Sequence, residues 1–283
     1  MLKDYFEKDA TRLQSKKLVL LDMDGTIYRE NDLFDGVKEF LAEITRRGGR
    51  YAFITNNPSK SVQDYVKKLR KMGIEEVDES NFFTSAQAAI MIMQERFGKS
   101  LIYAQGTRSF IKGLKRAGLN VTEKYTQNAA AILVAFDPEL TGKKLRTTSE
   151  MLTKHDVPYY ATNPDWVCPV EFGSVPDCGS MCVGYRYATG KTPIFIGKPE
   201  PAMVLELMKK FSANKEDTVV IGDRLYTDVA SGVNAGVDTV LVLSGEATLQ
   251  DLNESDVKPT FVLNSVADIY ANETRAAAKK QAR

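Results

Sequence analysis

Short apolar runs alternate along this chain with stretches whose apolar residues return every three or four positions. Leu18-Val19-Leu20-Leu21 is one such run, and it ends at Asp22-Met23-Asp24-Gly25, which predicts a buried strand leading into a tight loop. Residues 36–47 carry helical spacing and meet Gly48-Gly49, a stop signal. A second strand over 50–54 ends at Thr55-Asn56-Asn57-Pro58, and a second helix over 61–72 stops at Gly73. The rhythm resumes with a strand at 218–223, a helix around 225–235 that ends near Gly236, and a strand at 239–243. Strand–helix–strand order predicts an α/β protein with a Rossmann-like parallel sheet covered on both faces. In open sheets of this kind, ligands bind beyond the carboxyl ends of the strands.

Between these two blocks lies a long insertion, expected over 84–190. It carries helical patterns at about 85–97, 107–117 and 141–154 and strand patterns at about 100–104, 131–135 and 158–161. The chain therefore reads as a core domain made of 1–83 and 191–283, interrupted by a second α/β domain. A length of 283 residues suits two domains. No internal repeat or low-complexity linker stands out. The tail from 272 to 283 is helix-prone but has little to bury, so a frayed end is expected.

Composition narrows the function. Charged residues make up 27% of the chain, yet the net charge is only +1, so no one-signed field draws the protein to nucleic acid or a membrane surface. No run approaches the ~20 apolar residues that span a bilayer, and the first seventeen residues lack the apolar segment of a signal peptide. Three cysteines (Cys168, Cys178 and Cys182) with no framework spacing fit a reducing cytoplasm. A single histidine, His155, rules out a histidine-rich metal site.

Four segments carry candidate chemistry. Asp22-Met23-Asp24-Gly25-Thr26 places two carboxylates on a loop leaving a strand; one can attack phosphorus, the other can give and take protons. Gly25 permits the turn, and Thr26 can hydrogen-bond across it. The same pattern occurs in plain turns, and the calcium-loop alternative lacks a closing Glu. Thr55-Asn56-Asn57 offers a hydroxyl and backbone N–H groups for phosphate oxygens, although it is equally a turn and helix-entry sequence. Lys198, within Gly197-Lys198-Pro199, can neutralise a phosphate, or it can be a surface lysine beside a helix start. Asp223 and Asp228, in Gly222-Asp223-Arg224-Leu225-Tyr226-Thr227-Asp228, can hold a hard cation, or Asp223 can cap the next helix.

Taken together, the order DxDGT, TNN, GKP and GDxxxTD resembles the haloacid dehalogenase superfamily of phosphatases, and the resemblance covers most of the chain. An insertion between the second and third motifs is similar to the cap domain of the class II, A-subtype members, which include p-nitrophenyl, phosphoglycolate and pyridoxal phosphatases. Ala161-Thr162-Asn163-Pro164-Asp165 and the stretch 222–246 add to the match. The resemblance implies Asp22 as nucleophile and Mg2+ ligand, and Asp24 as acid/base whose backbone carbonyl also reaches the metal. It implies Asp223 as a third protein oxygen on the metal, with Asp228 as an acid supporting it. Thr55 and Asn56 would bind the transferring phosphoryl group, and Lys198 would pair with both that group and Asp22. No motif position departs from the family pattern.

The expected activity is Mg2+-dependent hydrolysis of a small cytoplasmic phosphomonoester, with p-nitrophenyl phosphate as an artificial substrate. The second acid, Asp24, favours ester chemistry over dehalogenation, whose leaving group needs no proton. It leaves open a mutase or other phosphotransferase, and a non-catalytic metabolite-binding regulator is a third reading. In the cap, Asn163 is the foremost candidate for substrate contact, ahead of Thr162, Asp165 and the loop 176–180. The C-x9-C-x3-C spacing of the cysteines is not a zinc pattern. His155 is expected at the surface or a helix end, and Trp166 in the cap core in preference to the substrate entrance. Related caps carry a dimer contact, so a homodimer through the cap is a further expectation of the resemblance.

Overall fold

The computed structural model of this chain describes residues 1–58, 61–170 and 172–271. The tail beyond 271, expected to fray, lies outside the described residues. The chain divides into two compact units, one built from 1–54, 66–83 and 199 onward, the other from 55–65 and 84–198.

Along the chain the first elements are β1 (Leu18–Leu21), β2 (Tyr28–Arg29), β3 (Asp32–Leu33), α1 (Val37–Arg46), β4 (Arg50–Thr55), α2 (Val62–Lys71) and β5 (Phe82–Thr84). Next come α3 (Ser85–Phe97), β6 (Ile102–Gln105), α4 (Arg108–Arg116), β7 (Val121–Thr122), β8 (Ala131–Val134), α5 (Gly142–Lys154) and β9 (Tyr159–Ala161). Then follow β10 (Val167–Val170), β11 (Gly173–Pro176), α6 (Cys178–Thr189), β12 (Ile194–Phe195) and α7 (Ala202–Phe211). The last are β13 (Thr218–Gly222), α8 (Ala230–Ala235), β14 (Asp238–Val242), α9 (Leu249–Glu254) and β15 (Phe261–Leu263).

The first unit is organised on a six-stranded sheet in the order β15-β14-β13-β1-β4-β5; only the terminal residues Thr55 and Thr84 fall in the second unit. The pairs β1–β13, β1–β4, β13–β14 and β14–β15 are parallel. Every residue of β1 and β13 is buried. Successive side chains of a strand point to opposite faces, so both faces of the sheet are covered there, as parallel sheets require. The covering helices are amphipathic. In α1, Val37, Phe40, Leu41 and Ile44 are buried, the spacing that makes one apolar stripe.

The strand order fixes where chemistry can sit. From β1 the chain builds outward through β4 to β5 on one side, and through β13, β14 and β15 on the other. The carboxyl ends of β1 and β13 therefore flank the point where the winding reverses, the preferred ligand crevice of open α/β sheets.

The second unit has its own five-stranded sheet, β12-β9-β8-β6-β7, parallel at every pairing. An antiparallel hairpin of β10 and β11 accompanies it. Helix α3 starts at a reciprocal cap between Thr84 and Gln87, and α6 starts at Asp177, whose carboxylate accepts the Cys178 N–H. The interior of this unit gathers Tyr103, Phe136, Met151, Tyr159, Cys178, Cys182 and Tyr185. All three cysteines are free thiols, and Cys178 and Cys182 are spent on packing.

Three expectations are corrected here. Trp166 is not in a core; it is 56% exposed, because its backbone is what the fold uses. The Trp166 carbonyl accepts from Asp177 N–H at 3.0 Å and Ser180 Oγ at 2.5 Å, which leaves the ring outside. The helix expected around 225–235 is also not one α-helix. Leu225–Val229 forms a π turn, with the Val229 N–H donating to the Arg224 carbonyl five residues back, before α8 begins. Finally, Thr26 does not bridge its loop through the hydroxyl. Among the described residues its buried Oγ1 has no hydrogen-bond partner, and backbone bonds from Gly25 N–H to Tyr28 and from Ile27 N–H to Met23 close the loop instead.

Candidate active site

In the first unit, pairing of Leu21 with Ile221 brings the ends of β1 and β13 together. The Asp22 N–H continues the ladder by donating to the Ile221 carbonyl at 2.9 Å. Asp22 and Asp223 thus leave two adjacent strands at the same end. The π turn after Asp223 then brings Asp228 back toward them, where its Oδ2 accepts from the Arg224 N–H at 3.1 Å. Single-turn π insertions often mark functional sites, because they re-aim a side chain. One carboxylate oxygen from each of Asp22, Asp223 and Asp228 lies within 4.8 Å of the others.

Three acids this close repel one another. At an effective dielectric of about 20, each pair costs on the order of 3.5 kcal/mol. Burial, then the charges of Asp22 and Asp228, push the Asp223 carboxyl up to about 8, against a smaller pull from the Glu246 N–H and Arg224. Its Oδ2 accepts the Glu246 N–H at 2.8 Å. Its Oδ1 is buried and has no hydrogen-bond partner among the described residues. A buried carboxylate oxygen without a donor is costly, and an all-oxygen acidic set with one unused oxygen fits a hard divalent cation.

Two loops close tightly on Asp223. Gly25 has φ +84, and a Cβ there would stand 2.2 Å from Asp223 Oδ2; at Gly245 the same atom would stand 2.0 Å away. Only glycine permits both approaches. The Ser244 hydroxyl ties the loops together by donating to the Gly25 carbonyl at 2.7 Å, and Ala247 N–H donates to the Asp223 carbonyl at 3.1 Å. Residues 244–246 close the matching sequence stretch but carry no assigned role there, and Ala247 lies just beyond it; the informative signal is a Ser-Gly pair after a buried strand. Asp24, two residues beyond Asp22 on the loop, is exposed, a setting in which protons can be exchanged with water.

In the second unit, Asn56 and Lys198 meet although 142 residues apart. The Asn56 carboxamide reads both backbone groups of Lys198: Oδ1 accepts the Lys198 N–H at 2.8 Å, and Nδ2 donates to its carbonyl at 2.9 Å. The other proton of Nδ2 goes to Asp165 Oδ2 at 2.7 Å. Lys198 is only 2% exposed, so it is not a solvated surface lysine. Thr55, the last residue of β4, is buried and accepts the Asn57 N–H through Oγ1 at 3.2 Å.

Asn163 is fully buried. Its amide nitrogen donates to Asp165 Oδ2 at 2.8 Å and Asp177 Oδ1 at 3.0 Å, and its Oδ1 accepts from Thr162 Oγ1 at 2.8 Å. The side chain's donors are thus both committed to protein carboxylates. Thr162 and Asp165 are buried in the same network. His155 stands at the C-cap of α5, with its ring 5.7 Å from that of Tyr125.

Comparison with known proteins finds relatives over most of the chain. Residues 19–120 match the haloacid dehalogenase-like hydrolase family, and residues 195–269 match the HAD-hydrolase-like family. The acid sugar phosphatase of Staphylococcus aureus is 30% identical over 259 residues, covering 92% of this chain and 98% of that protein. The crystal structure of 4-nitrophenylphosphatase from Thermotoga maritima superposes with a TM-score of 0.86 at 38% identity, covering 92% of this chain and 98% of that one. NagD from Escherichia coli K-12 superposes with a TM-score of 0.80 at 31% identity, covering 89% and 98%.

Proposed function

We propose, for a chain that belongs to the haloacid dehalogenase-like hydrolases and is a phosphatase of that family, that it hydrolyses a small phosphorylated metabolite through a phosphoenzyme formed on Asp22. The observation that carries this reading is the acid cluster at the switch point of the sheet, with Asp22, Asp223 and Asp228 within 4.8 Å and Asp223 Oδ1 unpaired. Asp22, Asp223 and the backbone carbonyl of Asp24 would hold Mg2+, with Asp228 beside them. When bound, the ion supplies positive charge that relieves the repulsion between carboxylate and phosphate.

The residues then divide the reaction. An oxygen of Asp22 attacks phosphorus as the bond from phosphorus to the ester oxygen breaks, and Asp24 gives its proton to that leaving oxygen. Asp24, now a carboxylate, takes a proton from water while the water oxygen attacks phosphorus. The bond from phosphorus to Asp22 breaks, and inorganic phosphate leaves with both acids restored. Lys198 offsets the charge of the transferring group, and Thr55 and the backbone of Asn56 bind its oxygens. The Asn56 side chain is already committed to Lys198 and Asp165, which favours its backbone for the phosphoryl contact. By the same reasoning Asn163 supports the site from within the second unit instead of touching substrate. The inserted domain, 84–190 in the sequence, acts as the cap that selects the leaving group.

The relatives, which include an acid sugar phosphatase and a 4-nitrophenylphosphatase, support a small phosphorylated ester as the substrate, and the reading proposed here is a sugar phosphate or a similarly small ester of the cytoplasm. The test is release of inorganic phosphate from p-nitrophenyl phosphate and from a panel of sugar phosphates, phosphoglycolate, pyridoxal phosphate and nucleotides, with Mg2+ and with chelator. Mg2+-dependent release, with the highest kcat/KM on a small ester, is expected. Absence of release from every member would overturn the proposal.

A further inference from the structure

The second unit contains a buried polar chain whose carboxylates, Asp165 and Asp177, have no part in the reaction above. It runs from the backbone of Lys198 through the Asn56 carboxamide to Asp165, then through Asn163 to Asp177 at the start of α6. We propose that Asp165 is a positioning residue that, by fixing the Asn56 carboxamide, sets the backbone of Lys198 and so aims its ammonium group. This inference rests on the reading of Lys198 as the group that offsets phosphoryl charge.

The geometry is one of exhausted valences. A carboxylate oxygen only accepts. Asp165 Oδ2 receives both Asn56 Nδ2 and Asn163 Nδ2, at 2.7 and 2.8 Å, so both amides must turn their nitrogens toward it. With Nδ2 held there, the Asn56 oxygen faces the Lys198 N–H, and its remaining N–H faces the Lys198 carbonyl. A flipped Asn56 would set oxygen against oxygen at Asp165 and at the Lys198 carbonyl, and nitrogen against the Lys198 N–H. Asp165 therefore chooses the only orientation in which Asn56 clasps the lysine.

The far end is anchored as well. Asp177 Oδ1 accepts from Asn163 and from the Cys178 N–H, which ties the chain to a helix terminus. Neighbouring glycines make room for the clasp: a Cβ on Gly197 would stand 2.4 Å from Asn56 Oδ1, and one on Gly179 would stand 2.1 Å from the Pro164 carbonyl. Asn56, Asn163, Asp165, Asp177 and Lys198 are all buried. A fully satisfied buried network of this kind rigidifies what it holds, and catalytic groups need such support to stay within about 0.5 Å of a productive position.

The test is a mutant cycle on the full chain with Mg2+ and p-nitrophenyl phosphate. Lys198→Ala is expected to lower kcat by roughly 10²–10³. Asp165→Ala is expected to lower kcat by about 10–100-fold, the range seen for groups that orient first-contact residues, with KM changing less. Asp165→Asn keeps a carbonyl oxygen for both amides and should recover most of that loss. In the Lys198→Ala background, Asp165→Ala should cost no more than about twofold further, because residues acting as a unit are not additive. If Asp165→Ala melts before assay, Asn56→Ala carries the same cycle.

Losses that multiply in the double variant, or an Asp165→Ala enzyme with kcat within about twofold of wild type, would overturn the positioning role while leaving the phosphatase reading in place. A fully active Lys198→Ala enzyme would instead overturn the role given to Lys198, and this inference with it.

Discussion

Replacing Gly25 by alanine should damage the acid cluster without touching a charged group. The added Cβ would stand 2.2 Å from Asp223 Oδ2 and 2.7 Å from its Cγ, whereas ordinary contact begins at 3.4 Å. Relief requires Asp223 to retreat by about 1 Å, since Gly245 backbone, 3.1 Å away, blocks the other side. A misplacement of that size in a reacting geometry costs on the order of 100-fold. The substitution also places a side chain at φ +84, a backbone penalty of roughly 1–2 kcal/mol.

Gly48→Ala is the control that separates the two effects. Gly48 has φ +73, but a Cβ there meets nothing within 4 Å, so it carries the backbone penalty alone. The assay is phosphate release as a function of Mg2+ concentration, with thermal melting alongside. Both variants should melt at lower temperature than wild type, but only Gly25→Ala should lose about 100-fold in kcat/KM and require more Mg2+. Equal activity and equal Mg2+ response in the two variants would refute the claim that Asp223 must occupy this position.

Two further outcomes follow from the same cluster. Asp22→Asn should abolish turnover while substrate still binds, and an unchanged rate of phosphate release would remove Asp22 from the nucleophile role. The pH dependence of stability comes from Asp223, whose folded pKa is raised from 3.8 to about 8. Between those values the folded metal-free chain holds a proton that the unfolded chain has lost, so this residue lowers stability as pH rises from about 4 to about 8. A cation bound by the carboxylate replaces that proton. The rise in melting temperature on adding Mg2+ over chelator should therefore be larger near pH 8 than near pH 5.5, and an equal rise at both would count against metal binding at Asp223.

Much of the first unit was legible because its signals are long. Leu18–Leu21 is an apolar run that ends at an acid, Val219–Ile221 is one that ends at Gly222-Asp223, and both lie in buried strands. Helix α3, Ser85–Phe97, falls on the helical pattern expected at about 85–97. The two-residue strands β2, β3, β7 and β12 are too short to show any period. The π turn was hidden for a different reason: nothing in Leu225–Val229 breaks a helical pattern, and the wider turn is set by the bond from the Arg224 N–H to Asp228. Trp166 misled because an aromatic ring usually packs inward, while here its carbonyl is the part that two residues of the α6 start require.

The acids Asp22, Asp223 and Asp228 could be named from motif spacing, and the strand order explains why those residues converge. The polar chain behind Lys198 could not be read in the same way. Asn56, Asn163 and Asp165 each look like turn or ligand residues on their own; only the fold reveals that they are partners with their valences spent on one another. Spacing reports what a residue can do, and the three-dimensional contact reports what it has left to do it with.

The central claim is that phosphorus is bonded to Asp22 during turnover. Acid-quenching the enzyme with p-nitrophenyl phosphate and Mg2+, reducing with borohydride and mapping the product by peptide mass spectrometry tests it directly. Conversion of residue 22, and of no other acid, to homoserine is the result this account predicts. Steady phosphate release with residue 22 still recovered as unmodified aspartate, or with the modification on another acid, would contradict it.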